Sequence, residues 1–395
     1  MHLQIDNCFL AMPDLTGREL LTELMSAPWG NPVFKSIDGF GVAFGTHTGS
    51  RRSRNEDRML VAKITSLGQE QFTVAMVCDG VGGSEMGDMA ATLAVALFLS
   101  ELSRISSPHP LSTILTEIIQ KVDDGVKSAL GGRGTTTASI VLASSTGEFA
   151  ATNIGDSRIF SWKPGGSLKQ VSVDDTIENE LRGLVVLDPS ALDARGLRGS
   201  LSQAIGEVGR SVSDLQVHLF NKDQFLDGVI LASDGAWKSD EAGFGLIMQH
   251  SKSAADAVRR SMAFASWTGG VDNVSVIAIE DLLTFAKIGE APEASVQLLP
   301  QTACVKAWVC DTKLVICESP RKISNTKSQV EKKTGQEKSS TRKNGAERKT
   351  RSRRPPVKSH SNQDEKQISL MEGEKNNRRT KIEISTDDNE EQETK

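Results

Sequence analysis

An apolar run that stops abruptly at an acid limits what this chain can fold into. Phe72 to Cys78 is apolar or β-branched throughout, and Asp79-Gly80-Val81-Gly82-Gly83 follows at once. A short run with no polar alternation is a strand buried on both faces. The acid and the glycines then stand at the rim of that strand. The pattern recurs where Val229 to Ser233 runs into Asp234-Gly235. Taken alone, Asp-Gly after a strand is a hairpin signal. Here Gly80, Gly82 and Gly83 also let backbone approach a ligand closely. The helix that opens near Ser84–Glu85 adds an N-terminus at the same place.

Further β-like runs occupy Gly41–Thr46, Met59–Ile64, Thr135–Ala143, Glu148–Ile154, Arg158–Trp162, Gln216–Phe220 and Val274–Ile279. Two adjacent helical patterns, Met86–Arg104 and Leu111–Leu130, follow the first acid-ended strand, and a second pair covers Gly243–His250 and Ala254–Trp267. Strands interrupted by helix pairs predict an α+β fold with antiparallel sheets. Residues 1–39 form a short preface with one helical stretch, Thr16–Met25. Residues 282–317 hold enough apolar side chains for a hairpin or two.

Three polar clusters sit beside these strands. Arg51 to Arg58 mixes both charge signs, which by itself describes a solvated loop. Asn153-Ile-Gly155-Asp156-Ser157-Arg158 reads as a tight turn between strands, and Gly269-Gly270-Val-Asp272-Asn273 leads into a strand. With Asp79 and Asp234, these place several aspartates at strand ends, with no His or Cys among them. Oxygen-only donors suit magnesium or manganese rather than zinc. Two such ions sharing a carboxylate clamp an in-line displacement at phosphorus. An arginine can hold the phosphoryl oxygens while charge shifts.

The ordered set Arg52-x-x-Asn55-Glu56-Asp57, Asp79-Gly80-x-Gly82-Gly83, Gly134-Thr135-Thr136, Asn153-x-Gly155-Asp156-Ser157-Arg158, Ala232-Ser233-Asp234-Gly235 and Asp272-Asn273 resembles the metal-dependent protein phosphatases. These are the type 2C serine/threonine phosphatases, and the bacterial form is the most similar. The resemblance covers residues 40–281. It implies a central antiparallel β-sandwich flanked by helix pairs, in four α-β-β-α layers. It implies hydrolysis of phosphoserine and phosphothreonine by a metal-bridging water, opposing a cognate kinase. Two manganese or magnesium ions are implied, with a weaker third in bacterial members. By position, Asp79 bridges the metals, the Gly80 carbonyl binds one, and Asp234 and Asp272 bind the other. Asp156 joins Asp234 at the third. Glu56 and Asp57 orient water from the outer shell, and Arg52 binds phosphate. Residues 172–200 fall on the family's flap, a loop that contacts substrate.

Some positions depart from the family. Val81 replaces a histidine found in many eukaryotic members, which leaves protonation of the leaving group to water. The flap opens Asp174-Asp175-Thr176 instead of Asp-His-Ser. Leu201-Ser202-Gln203-Ala204-Ile205-Gly206 stands in for Leu-Thr-Arg-Ala-Leu-Gly, and Phe160 replaces a tyrosine. The alternative is a catalytically silent phosphatase-like binding module in signalling. The altered flap is the only feature in its favour, since no ligand position is missing.

Charge divides the chain. Of 46 Lys+Arg and 51 Asp+Glu, the segment from Glu318 onward carries 20 and 14, so an acidic body of net −11 precedes a tail of net +6. An acidic body excludes a core that holds nucleic acid by its own charge. Residues 318–395 lack the apolar side chains needed to offset ordering and read as disordered. Their basic half, 318–363, is a solvated tail or a docking segment for an anionic partner. The first residues show no signal-peptide pattern, and no apolar stretch is long enough to span a bilayer. The five cysteines include no C-x-x-C pair. No disulfide framework is expected from them, and a cytoplasmic monomer is the resulting expectation. Trp237 and Cys78 read as packing residues, and the scattered histidines form no site.

Overall fold

Strands buried on both faces need a covering layer on each side, and the chain supplies both. In the computed structural model the described residues are 2–182, 195, 197, 199–288, 303–310 and 312–317, all within the unit Met1–Ser324. The predicted tail, 318–395, lies outside them, as does most of the flap between 183 and 198.

The elements run α1 (His2–Ala11), α2 (Leu15–Ser26), β1 (Val33–Ile37), β2 (Val42–His47), β3 (Arg58–Thr65), β4 (Gln71–Cys78), α3 (Gly87–Ser103) and α4 (Leu111–Leu130). They continue with β5 (Ala138–Ser144), β6 (Phe149–Ile154), β7 (Arg158–Trp162), β8 (Leu168–Gln170) and the short α5 (Ile177–Leu181). Next come β9 (His218–Asn221), β10 (Gly228–Ala232), α6 (Asp234–Trp237), α7 (Glu241–His250), α8 (Ala254–Trp267) and β11 (Val274–Ile279). The series closes with α9 (Leu282–Ala286), β12 (Cys304–Val309) and β13 (Thr312–Cys317).

The strands form two antiparallel sheets, ordered β1-β2-β11-β10-β7-β8 and β13-β12-β3-β4-β5-β6-β9. Period-two alternation divides each strand between two cores. In β4, Ala75 and Val77 face the sandwich interior with Val61, Leu231 and Ile277. Val74, Met76 and Cys78 face the other way, onto α3 and α4. In β10, Val229 and Leu231 point inward, while Ile230 and Ala232 meet Phe244 and Val258 of the opposite helix layer. The result is the four-layer α-β-β-α arrangement.

The flanking segments are built in as well. Leu20, Leu21, Leu24 and Trp29 join the α3–α4 core, and so do Val305, Ala307 and Ile316 of the β12–β13 hairpin. Strand β1 pairs with β2, and β12 extends the second sheet beside β3. One sequence expectation is corrected: Cys304 and Cys317 form a disulfide. An odd cysteine count argues against a framework of several bridges. It says nothing about one cross-strand pair, which needs only register, and these two residues face each other across the hairpin. Cys8 and Cys78 are buried thiols.

Helix α3 is buried almost all round, so its side chains should carry large packing terms. Replacing the fully buried Phe98 with alanine is expected to lower unfolding free energy by about 3–5 kcal/mol in urea titration. A loss under about 1 kcal/mol would mean that α3 is not packed as described.

Candidate active site

Antiparallel pairing sets the end of one strand beside the start of its neighbour. Cys78 pairs with Arg58, so Asp79, just past β4, stands beside Asp57, just ahead of β3. Ala232 pairs with Arg158, which brings the Asp234 end of β10 to the Asp156 turn. Asp272 precedes β11, the other neighbour of β10. Each aspartate is therefore placed by a ladder, not by loop conformation alone.

A cleft of about 490 Å³ opens at this end of the sandwich. Arg52, Glu56, Asp79, Gly80, Asp156, Asp234 and Asp272 all line it. Asp57, predicted beside them, lies beneath the surface with no exposure. Its Oδ2 accepts from Ser233 Oγ at 2.8 Å, and its Oδ1 is buried without a hydrogen-bond partner.

The backbone around these acids is tied down. Asp79 N–H donates to Thr137 Oγ1 at 2.9 Å, and its carbonyl accepts from Thr136 Oγ1 at 2.9 Å. Asn273 Oδ1 accepts from Glu56 N–H at 2.8 Å, while its amide nitrogen donates to the Thr48 and Arg54 carbonyls. That single side chain fastens the Arg52–Asp57 loop to the Asp272 loop. Arg58, itself buried, donates to the Asn55 and Asp57 carbonyls.

Electrostatics follow from crowding. Asp79 is held well above the ordinary carboxylate range, first by burial and then by the charges of Asp57, Asp234, Asp156 and Asp272. Burial and the neighbouring Asp234 and Asp272 push Asp57 up to about 7 against the Ser275 and Ser233 hydroxyls. Asp156 is pushed up to about 6 by burial and Asp234, with Lys238 opposing.

Two cations offset this charge. Arg52 Nη2 donates to Asp272 Oδ2 at 2.7 Å, which raises the arginine further. Lys238 Nζ reaches Asp234 Oδ2 at 2.8 Å and Asp156 Oδ2 at 3.5 Å. Burial pulls Lys238 down, but those two carboxylates outweigh it and the net shift is upward. Glu56, by contrast, is paired with Arg54 at 2.6 Å.

The donor set fits hard divalent cations: every candidate ligand is oxygen, the acids repel one another, and one buried carboxylate oxygen is orphaned. No three His, Cys, Asp or Glu side chains among the described residues cage an ion by themselves. Ligation by Asp79, Asp234 and Asp272 would need the Gly80 carbonyl and water to complete each shell.

The Protein phosphatase 2C family matches residues 44–269. The chain belongs to this family. Among curated relatives, a serine/threonine phosphatase stp of Listeria welshimeri is 26% identical over 247 residues, 60% of this chain and 94% of the relative. The protein phosphatase PhpP of Streptococcus pneumoniae is 25% identical over 246 residues, 60% and 96% of the two chains. A solved bacterial serine phosphatase superposes with a TM-score of 0.51 at 20% identity, covering 60% of this chain and 96% of that one. The serine/threonine phosphatase Stp1 of Staphylococcus aureus gives 0.50 at 20% identity, covering 63% and 96%. These two likenesses speak to the fold.

Within this phosphatase 2C domain the departing segment Asp174-Asp175-Thr176 has its own contacts. Asp174 grips Arg158 bidentately at 2.8–3.0 Å, and Arg158 stacks over Trp237 at 3.3 Å. Asp175 Oδ2 accepts from Gly155 N–H and Gln203 Nε2, each at 2.8 Å. Sequence reasoning left Lys238, Ser233 and the stapling role of Asn273 unassigned. Part of the signal for Lys238 was available, because it lies four residues, one helical turn, past Asp234.

The tightest joint is at Gly235, where an added Cβ would stand 2.0 Å from the Asn273 carbonyl oxygen and 3.0 Å from Asp272 Cβ. Gly235→Ala is expected to push the Asp234 and Asp272 segments apart. Calorimetry should show a lowered Tm and lost divalent-ion binding. Unchanged ion affinity would contradict this joint.

Proposed function

We propose that the chain is a metal-dependent protein phosphatase that hydrolyses phosphoserine and phosphothreonine in protein substrates. The observation that carries this is the convergence of five strand-end aspartates and Arg52 at one end of the sandwich. Family membership and relatives named as serine/threonine phosphatases support it.

Asp79, the Gly80 carbonyl, Asp234 and Asp272 would hold two manganese or magnesium ions. When bound, such ions supply an activated water and Lewis-acid charge at phosphorus. The remaining work belongs to the chain. Arg52 lines the cleft and trades part of its contact with Asp272 for the phosphoryl oxygens, a bidentate match for a guanidinium. Asp272 orients it before substrate arrives, so only part of that one contact has to be exchanged as charge shifts. Glu56, which lines the cleft, and Asp57, buried beneath it, would orient water from the outer shell. In the net reaction, water oxygen bonds to phosphorus, the bond to the seryl or threonyl oxygen breaks, and that oxygen takes a proton. With Val81 in place of an acid, the proton comes from water.

The finer reading places this activity opposite a serine/threonine kinase, in a cytoplasmic monomer. The buried thiols Cys8 and Cys78 support that compartment, and the Cys304–Cys317 bond runs against it. The basic run within 318–363 supports docking of an anionic partner.

Manganese-dependent hydrolysis of a phenyl phosphate ester is expected, abolished by chelator. Asp79→Asn and Asp234→Asn should each remove turnover, because each deletes a charged ligand. Full activity in either variant would refute the assignment. Arg52→Ala should lower kcat/KM by about 10²-fold, the scale of one lost oxyanion donor. Saturating manganese should also raise the Tm of the wild type and not that of Asp79→Asn, since an ion bound only by the folded state stabilises it.

A further inference from the structure

Lys238 belongs to none of the motifs, yet it occupies a decisive place. It directly follows α6, its backbone N–H donating to the Asp234 carbonyl at 2.8 Å. One helical turn separates it from Asp234, so its stem runs back toward that carboxylate. The ammonium then spans two strands, meeting Asp234 Oδ2 at 2.8 Å and Asp156 Oδ2 at 3.5 Å. These are the two carboxylates that, by resemblance, would share a third, weaker divalent ion.

A divalent ion held by both acids needs their oxygens at about 2.0–2.1 Å for magnesium. The ammonium is already hydrogen-bonded to Oδ2 of each acid, so an ion shared between those two oxygens would have to displace it. It is a compact point charge with three donors, suited to bridging acids that lie at an angle to each other. An isolated surface ion pair is weak and would decide nothing. This one differs because its two acceptors come from different strands and belong to a crowded acidic cluster. We propose that Lys238 is the tethered third cation of this site: the chain takes two divalent ions, and its own ammonium replaces the third. Lys238 is a positioning residue here. It neutralises Asp156 and Asp234 at any ion concentration, but it carries no coordinated water.

This inference rests on the metal-dependent reading above, and counting ions separates the two. Full-length wild type, Lys238→Gln and Asp156→Asn would be titrated with manganese, with bound ion counted by electron paramagnetic resonance and calorimetry. The wild type is expected to bind about two equivalents. Lys238→Gln should gain about one more, weaker equivalent, and Lys238→Gln with Asp156→Asn should lose it again. Asp156→Asn alone should leave the wild-type count unchanged. Lys238 is half exposed, so its glutamine variant is expected to keep the wild-type circular dichroism spectrum. If that variant fails to fold, Asp156→Asn still decides: a lowered count means that a metal uses Asp156, and the inference falls. Equal counts in wild type and Lys238→Gln also overturn it while leaving the phosphatase reading intact. Absence of bound manganese in the wild type would overturn both.

Discussion

Five aspartates crowd one end of the sandwich, and like charges in a poorly hydrated site raise one another's proton affinity. The fold makes this unavoidable. Asp57 and Asp79 flank paired strands of one sheet, while Asp156, Asp234 and Asp272 flank adjoining strands of the other. Moving any of them would require breaking a ladder buried on both faces. Cations must therefore come to the acids. The chain supplies Arg52 and Lys238, and the proposed divalent ions supply the rest. The polar staples serve the same end. Asn273, Ser233 and Thr137 hold backbone and carboxylate in place, so the cluster stays assembled against its own repulsion.

Much of this was legible in the residues, and physics explains which parts. Strands such as Phe72–Cys78 and Val229–Ser233 show themselves because burial on both faces removes polar alternation. Helix Leu111–Leu130 shows itself because one face is solvated and its apolar spacing is periodic. Strand β8, Leu168–Gln170, is short and nowhere fully buried, so hydrophobicity leaves little trace of it. Strand β1 was hidden by its partly exposed middle, although its ends are buried. The disulfide was missed because register, not cysteine spacing, brings Cys304 to Cys317. Lys238 was missed because a lysine among acids looks like surface charge until the strands that deliver Asp156 and Asp234 are placed.

The segment Asp174-Asp175-Thr176 shows how departures from a motif can be absorbed. Where the family pattern has histidine, Asp175 accepts from the Gly155 amide and from Gln203, with His218 Nε2 at 3.3 Å. Gln203 itself replaces the arginine of the pattern and also donates to the Gln216 carbonyl. A second acid beside Asp174 is tolerable because donors from three separate segments surround it. Arg158, meanwhile, is committed to Asp174, Glu241 and the face of Trp237. It anchors the Asp174 segment to the turn that carries Asp156.

The glycines that opened the sequence reading gain a specific role from Arg52. A Cβ at Gly82 would lie 3.0 Å from Arg52 Nη1 and 3.1 Å from Nη2, so the guanidinium rests directly on that backbone. On its other side, Asp272 holds it at 2.7 Å. A side chain at 82 would press on the guanidinium proposed to meet the phosphoryl oxygens. The glycine after Val81 thus sets the floor on which the arginine lies, and Asp272 sets its bearing. Preorganisation of this kind is worth most in transition-state electrostatics, where a fixed donor needs no rearrangement as charge develops. The glycine run and the charged loop around Arg52 are separated in sequence, but in the folded site they act as one device.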